Sequence, residues 1–225
     1  MEQTATLQAL NLRALGSAEL SEDPCPWASY QGVFQPYVLA ARFPTDHFDF
    51  HSQRRLLEAV GKSGSDAWYQ HNVETRPLLE LGAEEPFEPG GLDGAWLEVA
   101  ADLLSPEYRE CLSDVARCDV RRLQMQAHFW RFGEGAVFQP HVDKPHKIVT
   151  HLMYLNEQWT PEMGGCLQIL GSGNPDDVRV EVPPIKNTGV VLRRTDQAWH
   201  AVSKVPRGCE GMRRVLQVWF WAMNT

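Results

Sequence analysis

From residue 119 onward the sequence breaks into short runs of β-branched and aromatic residues separated by glycine, proline and asparagine. Eight such runs predict strands, over 120–132, 137–143, 148–155, 166–170, 178–182, 189–193, 201–205 and 213–222. Short strands divided by tight turns point to an antiparallel double sheet of the jelly-roll or barrel kind. The pattern before residue 119 differs. Over 94–104, Trp96, Leu97, Val99, Leu103 and Leu104 recur at near-helical spacing. Ser105-Pro106 then reads as an N-cap with proline in the first turn, opening a second helix over 107–116. A third helix over 50–60 rests on Leu56, Leu57 and Val60 set among Arg54, Arg55 and Glu58. The run 31–42 predicts one early strand, and the acidic, Gly- and Pro-rich segment 82–94 a surface loop. Residues 61–93 show no clear period. The expected class is α+β dominated by β, as one domain over 1–225. Within it, 1–118 forms a helical support and substrate region packed on a β core at 119–225.

Composition narrows the function. A chain of 225 residues buries roughly 70% of its unfolded surface and needs no staples. With 43% hydrophobic and 22% charged residues, disordered and fibrous classes are excluded. The net charge is −8 and no basic stripe is present, which argues against a nucleic-acid partner. No window approaches the ~18 apolar residues of a membrane span, and Met1-Glu2-Gln3-Thr4 does not open a signal peptide. Cys25, Cys111, Cys118, Cys166 and Cys209 are scattered without metal-finger spacing. They read as reduced thiols, so a cytoplasmic location is expected.

The sharpest local feature is the run Gly133-Glu134-Gly135-Ala136-Val137-Phe138-Gln139-Pro140-His141-Val142-Asp143. A glycine turn delivers the chain into a strand on which His141 and Asp143, two apart, share a face. An imidazole and a carboxylate on one face supply two ligands of a 2-His-1-carboxylate site. His200, after the turn at 195–197, offers the third. The last strand begins with Arg213, and alternation groups Arg213, Gln217 and Trp219 on one face and Arg214, Val218 and Phe220 on the other. An arginine aimed into a β core demands an anionic partner, and a ligand carboxylate would supply a bidentate one.

Together these residues resemble the Fe(II)/2-oxoglutarate-dependent oxygenase superfamily and, within it, the prolyl-hydroxylase-like branch. The resemblance runs from about Gln124 to Phe220. It rests on His141, Asp143, His200 and Arg213, with Phe132-Gly133-Glu134-Gly135, Tyr154-Leu155-Asn156, Trp159 and Gly164-Gly165-Cys166-Leu167 as secondary matches. It implies a double-stranded β-helix, a jelly-roll or cupin-like core. It also implies Fe(II) on His141, Asp143 and His200, with 2-oxoglutarate and O2 as cosubstrates. Arg213 would pair with the distal carboxylate of 2-oxoglutarate and Tyr154 would hydrogen-bond it. Related halogenases replace the carboxylate ligand by a small residue, whereas this chain keeps Asp143. Trp219, six residues after Arg213, matches the family's aromatic and favours Arg213 over Arg214 in that role.

The implied reaction is hydroxylation of an unactivated C–H in a small molecule, such as an amino acid, an amino-acid derivative or a specialised metabolite. A peptide prolyl-type hydroxylase and a desaturating or cyclising oxidase are the alternatives. A metal-binding barrel without catalysis and a zinc hydrolase lie further off.

Substrate contacts are expected from Gln126, His128, His146, Arg193 and Trp219. Gln124, Gln126, His128 and Trp130 share a face that lines either solvent or the cavity, while Met125, Ala127 and Phe129 oppose it and would pack on helices. His146 belongs in the loop after the HxD segment, at either substrate or surface. Arg193 or Arg194 faces the cavity and grips a substrate anion, or both sit solvated at the rim. His151, three before Tyr154, falls on the opposite face as a core or surface filler. His47, His51 and His71 are expected at the surface, and the cluster 68–72 as a lid or as ordinary packing.

Overall fold

The computed structural model describes residues 8–49, 72–87 and 90–222. The strands are β1 (Trp27–Gln31), β2 (Val73–Leu79), β3 (Gln124–Phe132), β4 (Phe138–His141) and β5 (Lys147–Tyr154). They continue as β6 (Leu167–Leu170), β7 (Val178–Val182), β8 (Thr188–Arg193), β9 (His200–Val202) and β10 (Arg213–Trp221). The α-helices are α1 (Leu12–Gly16), α2 (Pro36–Ala40), α3 (Gly94–Leu104) and α4 (Pro106–Ala116). All eight strands expected beyond residue 119 form, with ends displaced by up to four residues. Together with β1 and β2 they build two antiparallel sheets: a six-stranded one ordered β1-β8-β5-β10-β3-β2 and a four-stranded one ordered β4-β9-β6-β7. This β-dominated, two-sheet arrangement is consistent with the jelly roll.

Alternation sorts the side chains of the larger sheet into two cores. Met125, Ala127 and Phe129 of β3 join Leu216, Val218 and Phe220 of β10 against Trp96, Leu103, Tyr108 and Leu112 of the helices. Trp130, Phe132, Leu152, Tyr154, Val215 and Trp219 instead face Leu167, Ile169 and Val182 of the smaller sheet. That second core, between the sheets, surrounds the cavity described below.

The helices at 94–104 and 106–116 form where apolar spacing predicted the first and the Ser105-Pro106 cap the second. The Asp93 carboxylate accepts from Ala95 N at 3.0 Å and the Ser105 hydroxyl from Tyr108 N at 3.2 Å, each meeting an orphan N–H of a first turn. The rest of the N-terminal part is mixed rather than helical among the described residues. The run 31–42 is not a strand: β1 ends at Gln31, Gly32 turns the chain at φ +82°, and Pro36 opens the five-residue α2. The unassigned stretch 61–93 contains β2, an edge strand buried on both faces and therefore without alternation. Its Pro77 is tolerated because an edge strand spares one row of ladder donors. The helix expected over 50–60, together with His51, His71 and most of the 68–72 cluster, lies outside the described residues.

His151 ties the helical layer to the larger sheet. Its Nε2 lies 2.8 Å from the Tyr30 hydroxyl and its Nδ1 2.9 Å from that of Tyr108, with all three side chains buried. A neutral imidazole serves both, donating from one nitrogen and accepting on the other. Burial pushes His151 down to about 3, and likewise His128 down to about 4. Below the ordinary value of 6.5 the unfolded chain therefore takes up protons that the folded chain refuses. This stabilisation is complete above pH 6.5 and is lost as pH falls through 4 and then 3. His151→Phe leaves two buried hydroxyls without partners, at about 1–3 kcal/mol each. Urea unfolding at pH 7.5 and pH 5 should show a lower midpoint for the variant and a smaller difference between the two pH values. Equal midpoints for variant and wild type at pH 7.5 would refute the assignment.

Candidate metal and cosubstrate site

His141, Asp143 and His200 converge between the two sheets, with one ligand atom from each lying within 4.8 Å of the others. His141 ends β4 and His200 begins β9, and the two are direct partners across that ladder, their ring centroids 4.2 Å apart. Asp143 comes from the segment just beyond β4, not from the strand itself. Each imidazole is oriented from behind. Nδ1 of His141 donates to Gln139 O and Nδ1 of His200 to Ala198 O, both at 2.9 Å. The proton is thereby held on Nδ1 and the lone pair on Nε2, the form a metal takes. His141 Nε2 lies 4.0 Å from Asp143 Oδ1.

The electrostatics keep His141 and Asp143 unprotonated. Burial, reinforced by the neighbouring His200, pushes His141 down to about 3. Burial works to raise the Asp143 carboxyl, but Lys147 and the two histidines outweigh it and hold the group well below the usual carboxylate range. Lys147 Nζ donates to Asp143 Oδ1 at 2.7 Å and Thr150 Oγ1 to Oδ2 at 3.0 Å. The chemistry of this donor set fits Fe(II): two imidazoles and one carboxylate on one side of a cavity.

Arg213 lies deeper in the same cavity, which Trp130, Phe138, Leu152, Leu167, Val202 and Trp219 also line. Its side chain is buried, with the guanidinium 4.4 Å from the Phe132 ring centroid and 5.2 Å from that of Tyr154. Nη2 donates to the Tyr154 hydroxyl at 3.4 Å, and Nε has no hydrogen-bond partner. Burial lowers the guanidinium's affinity for its proton, yet arginine stays charged. A buried cation with an orphaned N–H is costly unless a carboxylate arrives. This is the physical mark of a missing anionic ligand. Gly165 makes room for the arginine side chain: at φ +64°, a Cβ there would stand 2.9 Å from Arg213 Cδ. Arg214, by contrast, lies on the helical face over the Phe43 ring, which resolves the register in favour of Arg213.

Trp219 lines the cavity. Gln126 and His128 are buried on the same sheet face but do not line the cavity, and His128 meets Trp219 with ring centroids 5.6 Å apart. Both ring nitrogens of His128 lack hydrogen bonds, and its Nε2 is 3.9 Å from Glu80 Oε2. Two expectations are corrected. Arg193 does not enter the cavity, because alternation along β8 turns Leu192 inward and Arg193 toward the helices. There it donates to Ala116 O at 3.3 Å and pairs with Glu22 at 3.0 Å, meeting the free carbonyls at the end of α4. Arg194 stays at the rim, pairing with Asp196 at 2.6 Å. His146 is exposed in the turn before β5 and does not line the cavity. Sequence reasoning missed Lys147 and Thr150, while Gln217 lines the cavity on the face that alternation gave it. Counting back by twos from Tyr154 through Leu152 reaches Thr150, and Lys147 stands four residues after Asp143.

Fold and site together define a two-sheet β protein with a 2-His-1-carboxylate cluster between its sheets. Residues 125–221 match the model of the 2OG-Fe(II) oxygenase superfamily. The superfamily uses Fe(II), 2-oxoglutarate and O2. No curated protein sequence matches significantly. Among solved structures, a prolyl-4-hydroxylase from Pseudomonas putida superposes with a TM-score of 0.55 at 19% identity, covering 97% of this chain and all (100%) of that one. HygX from Streptomyces hygroscopicus, with nickel and 2-oxoglutarate bound, gives 0.51 at 14% identity over 88% of this chain and 83% of that one. A prolyl hydroxylase from Trichoplax adhaerens, in complex with a hypoxia inducible factor peptide fragment, gives 0.50 at 14% identity over 96% and 89%. These likenesses establish the shared fold. No helix of the described residues is long and apolar enough to cross a membrane.

Proposed function

We propose that this protein hydroxylates an unactivated C–H bond of a small molecule, an amino acid, amino-acid derivative or specialised metabolite, in the cytoplasm. One cavity is lined by both the three-donor cluster and a buried arginine whose Nε has no partner, and this observation carries the reading. The two-sheet core is read as a double-stranded β-helix, and the chain as one oxygenase domain in which β1 and β2 extend the core sheet. His141, Asp143 and His200 would hold Fe(II). Arg213 would pair with the distal carboxylate of 2-oxoglutarate, with the neutral Tyr154 phenol beside it. When bound, iron and 2-oxoglutarate supply coupled oxidation: the cosubstrate and O2 become succinate and CO2 while one oxygen atom enters the substrate C–H. Trp130, Leu152, Leu167 and Val202 would keep water from the reacting centre, and Trp219, backed by His128, would contact substrate.

The peptide complex of the Trichoplax neighbour supports a second reading, a prolyl-type hydroxylase of peptides. The test begins without substrate. Anaerobic addition of Fe(II) and then 2-oxoglutarate should produce the visible charge-transfer band of an iron–2-oxo acid chelate. Loss of the band in Asp143→Ala places it at the cluster. Its absence in wild type sets the oxygenase reading of these residues aside. Succinate release stimulated by peptides but by no small molecule would select the second reading.

A further inference from the structure

Asp143 is already occupied. Both of its oxygens carry a donor from β5: Lys147 Nζ on Oδ1 at 2.7 Å and Thr150 Oγ1 on Oδ2 at 3.0 Å. Oδ1 is also the oxygen 4.0 Å from His141 Nε2, so the ammonium holds the atom turned toward the first imidazole donor. Lys147 is itself largely buried, its side chain 14% exposed, and lines the cavity with the cluster. Its Nζ stands 5.0 Å from the ring centroid of Trp219 and 5.6 Å from that of Trp221. Two aromatic faces and one carboxylate therefore fix a cation beside the three donors.

We propose that Lys147 is a built-in counter-ion that competes with the metal for Asp143 and so sets the metal affinity of the site. This rests on the cluster being the metal site of the proposed function. The ammonium neutralises the single charge among the donors, and like charges at this range in a poorly solvated cavity repel strongly. A divalent ion must share or displace the Lys147 contact to use Oδ1. Lys147 is thus a positioning residue that acts through Asp143, lowering the charge offered to the ion while keeping the carboxylate aimed before the ion arrives.

The decisive measurement is the equilibrium affinity of the full chain for Co(II) without 2-oxoglutarate, by competition with a chelating dye. Wild type, Lys147→Met, Lys147→Gln and Lys147→Arg are compared, with folding checked by circular dichroism. Both neutral variants should bind Co(II) at least tenfold more tightly, while Lys147→Arg, which keeps the charge, should stay within a few-fold of wild type. A merely structural role predicts the opposite sign, because a disordered Asp143 binds more weakly. Folded neutral variants with equal or weaker affinity overturn the proposal and leave the metal-site reading standing. Absence of Co(II) binding in every variant and in wild type overturns both.

Discussion

Arg213→Ala is expected to weaken 2-oxoglutarate binding by roughly 30-fold or more while leaving metal binding intact. The estimate follows from the ~2–5 kcal/mol lost when one partner of a buried, hydrogen-bonded charge pair is truncated. In this chain the guanidinium is buried, packed on the rings of Phe132 and Tyr154, and its Nε has nothing else to bond. The other cation lining the cavity, Lys147, is already paired with Asp143, which leaves Arg213 to meet the distal carboxylate of the cosubstrate. Lysine is a poor replacement, since a point charge cannot reproduce the planar two-bond fork. Arg213→Lys should therefore fall between alanine and wild type. The measurement is the rise in melting temperature with 2-oxoglutarate in the metal-loaded protein, which tracks ligand affinity. An unchanged rise in Arg213→Ala would mean the cosubstrate binds elsewhere.

Asp143→Ala should have the larger effect on the metal itself. Disturbing an outer partner of a metal ligand costs ~10–100-fold in affinity, and removing the only anionic ligand should exceed that. The substitution has a second consequence. It leaves Lys147 in the cavity with no carboxylate to pair with, so a cation faces the place where the metal must bind. His200→Ala removes a neutral donor and leaves the Lys147–Asp143 pair intact, so it should be the milder of the two. Dialysis against metal buffers orders the three proteins. If Asp143→Ala retains affinity within tenfold of wild type, the metal lies elsewhere.

The motif residues were legible because each depends on a short-range rule. Glycine turns around Gly133 and Gly135, the alternation of β10, and Gly164-Gly165 before β6 are local geometry, and they place His141, Arg213 and Trp219 correctly. The capped helices α3 and α4 were legible for the same reason. Reading failed where neighbours far along the chain decide. β2 carries no alternation because the sheet buries both its faces. Arg193 looked like a substrate anchor until the α4 carbonyls and Glu22 were seen to meet it. His128 had two readings on sequence, and only the sheet shows it buried against Trp219.

Sequence alone determined the strand count of the β core, the chemical types at the site and their order along the chain. These follow from side-chain period, turn residues and the polar groups that an apolar strand cannot carry without a partner. Tertiary structure decided which charges meet. Lys147 and Asp143 are four residues apart on an irregular turn, where no fixed period says whether their side chains converge. Packing of β5 beside β10, with Trp219 and Trp221 over the ammonium, brings them together. Electrostatic energy falls off with distance in space rather than along the chain, so the charge balance of the site emerges only when the two sheets close around it.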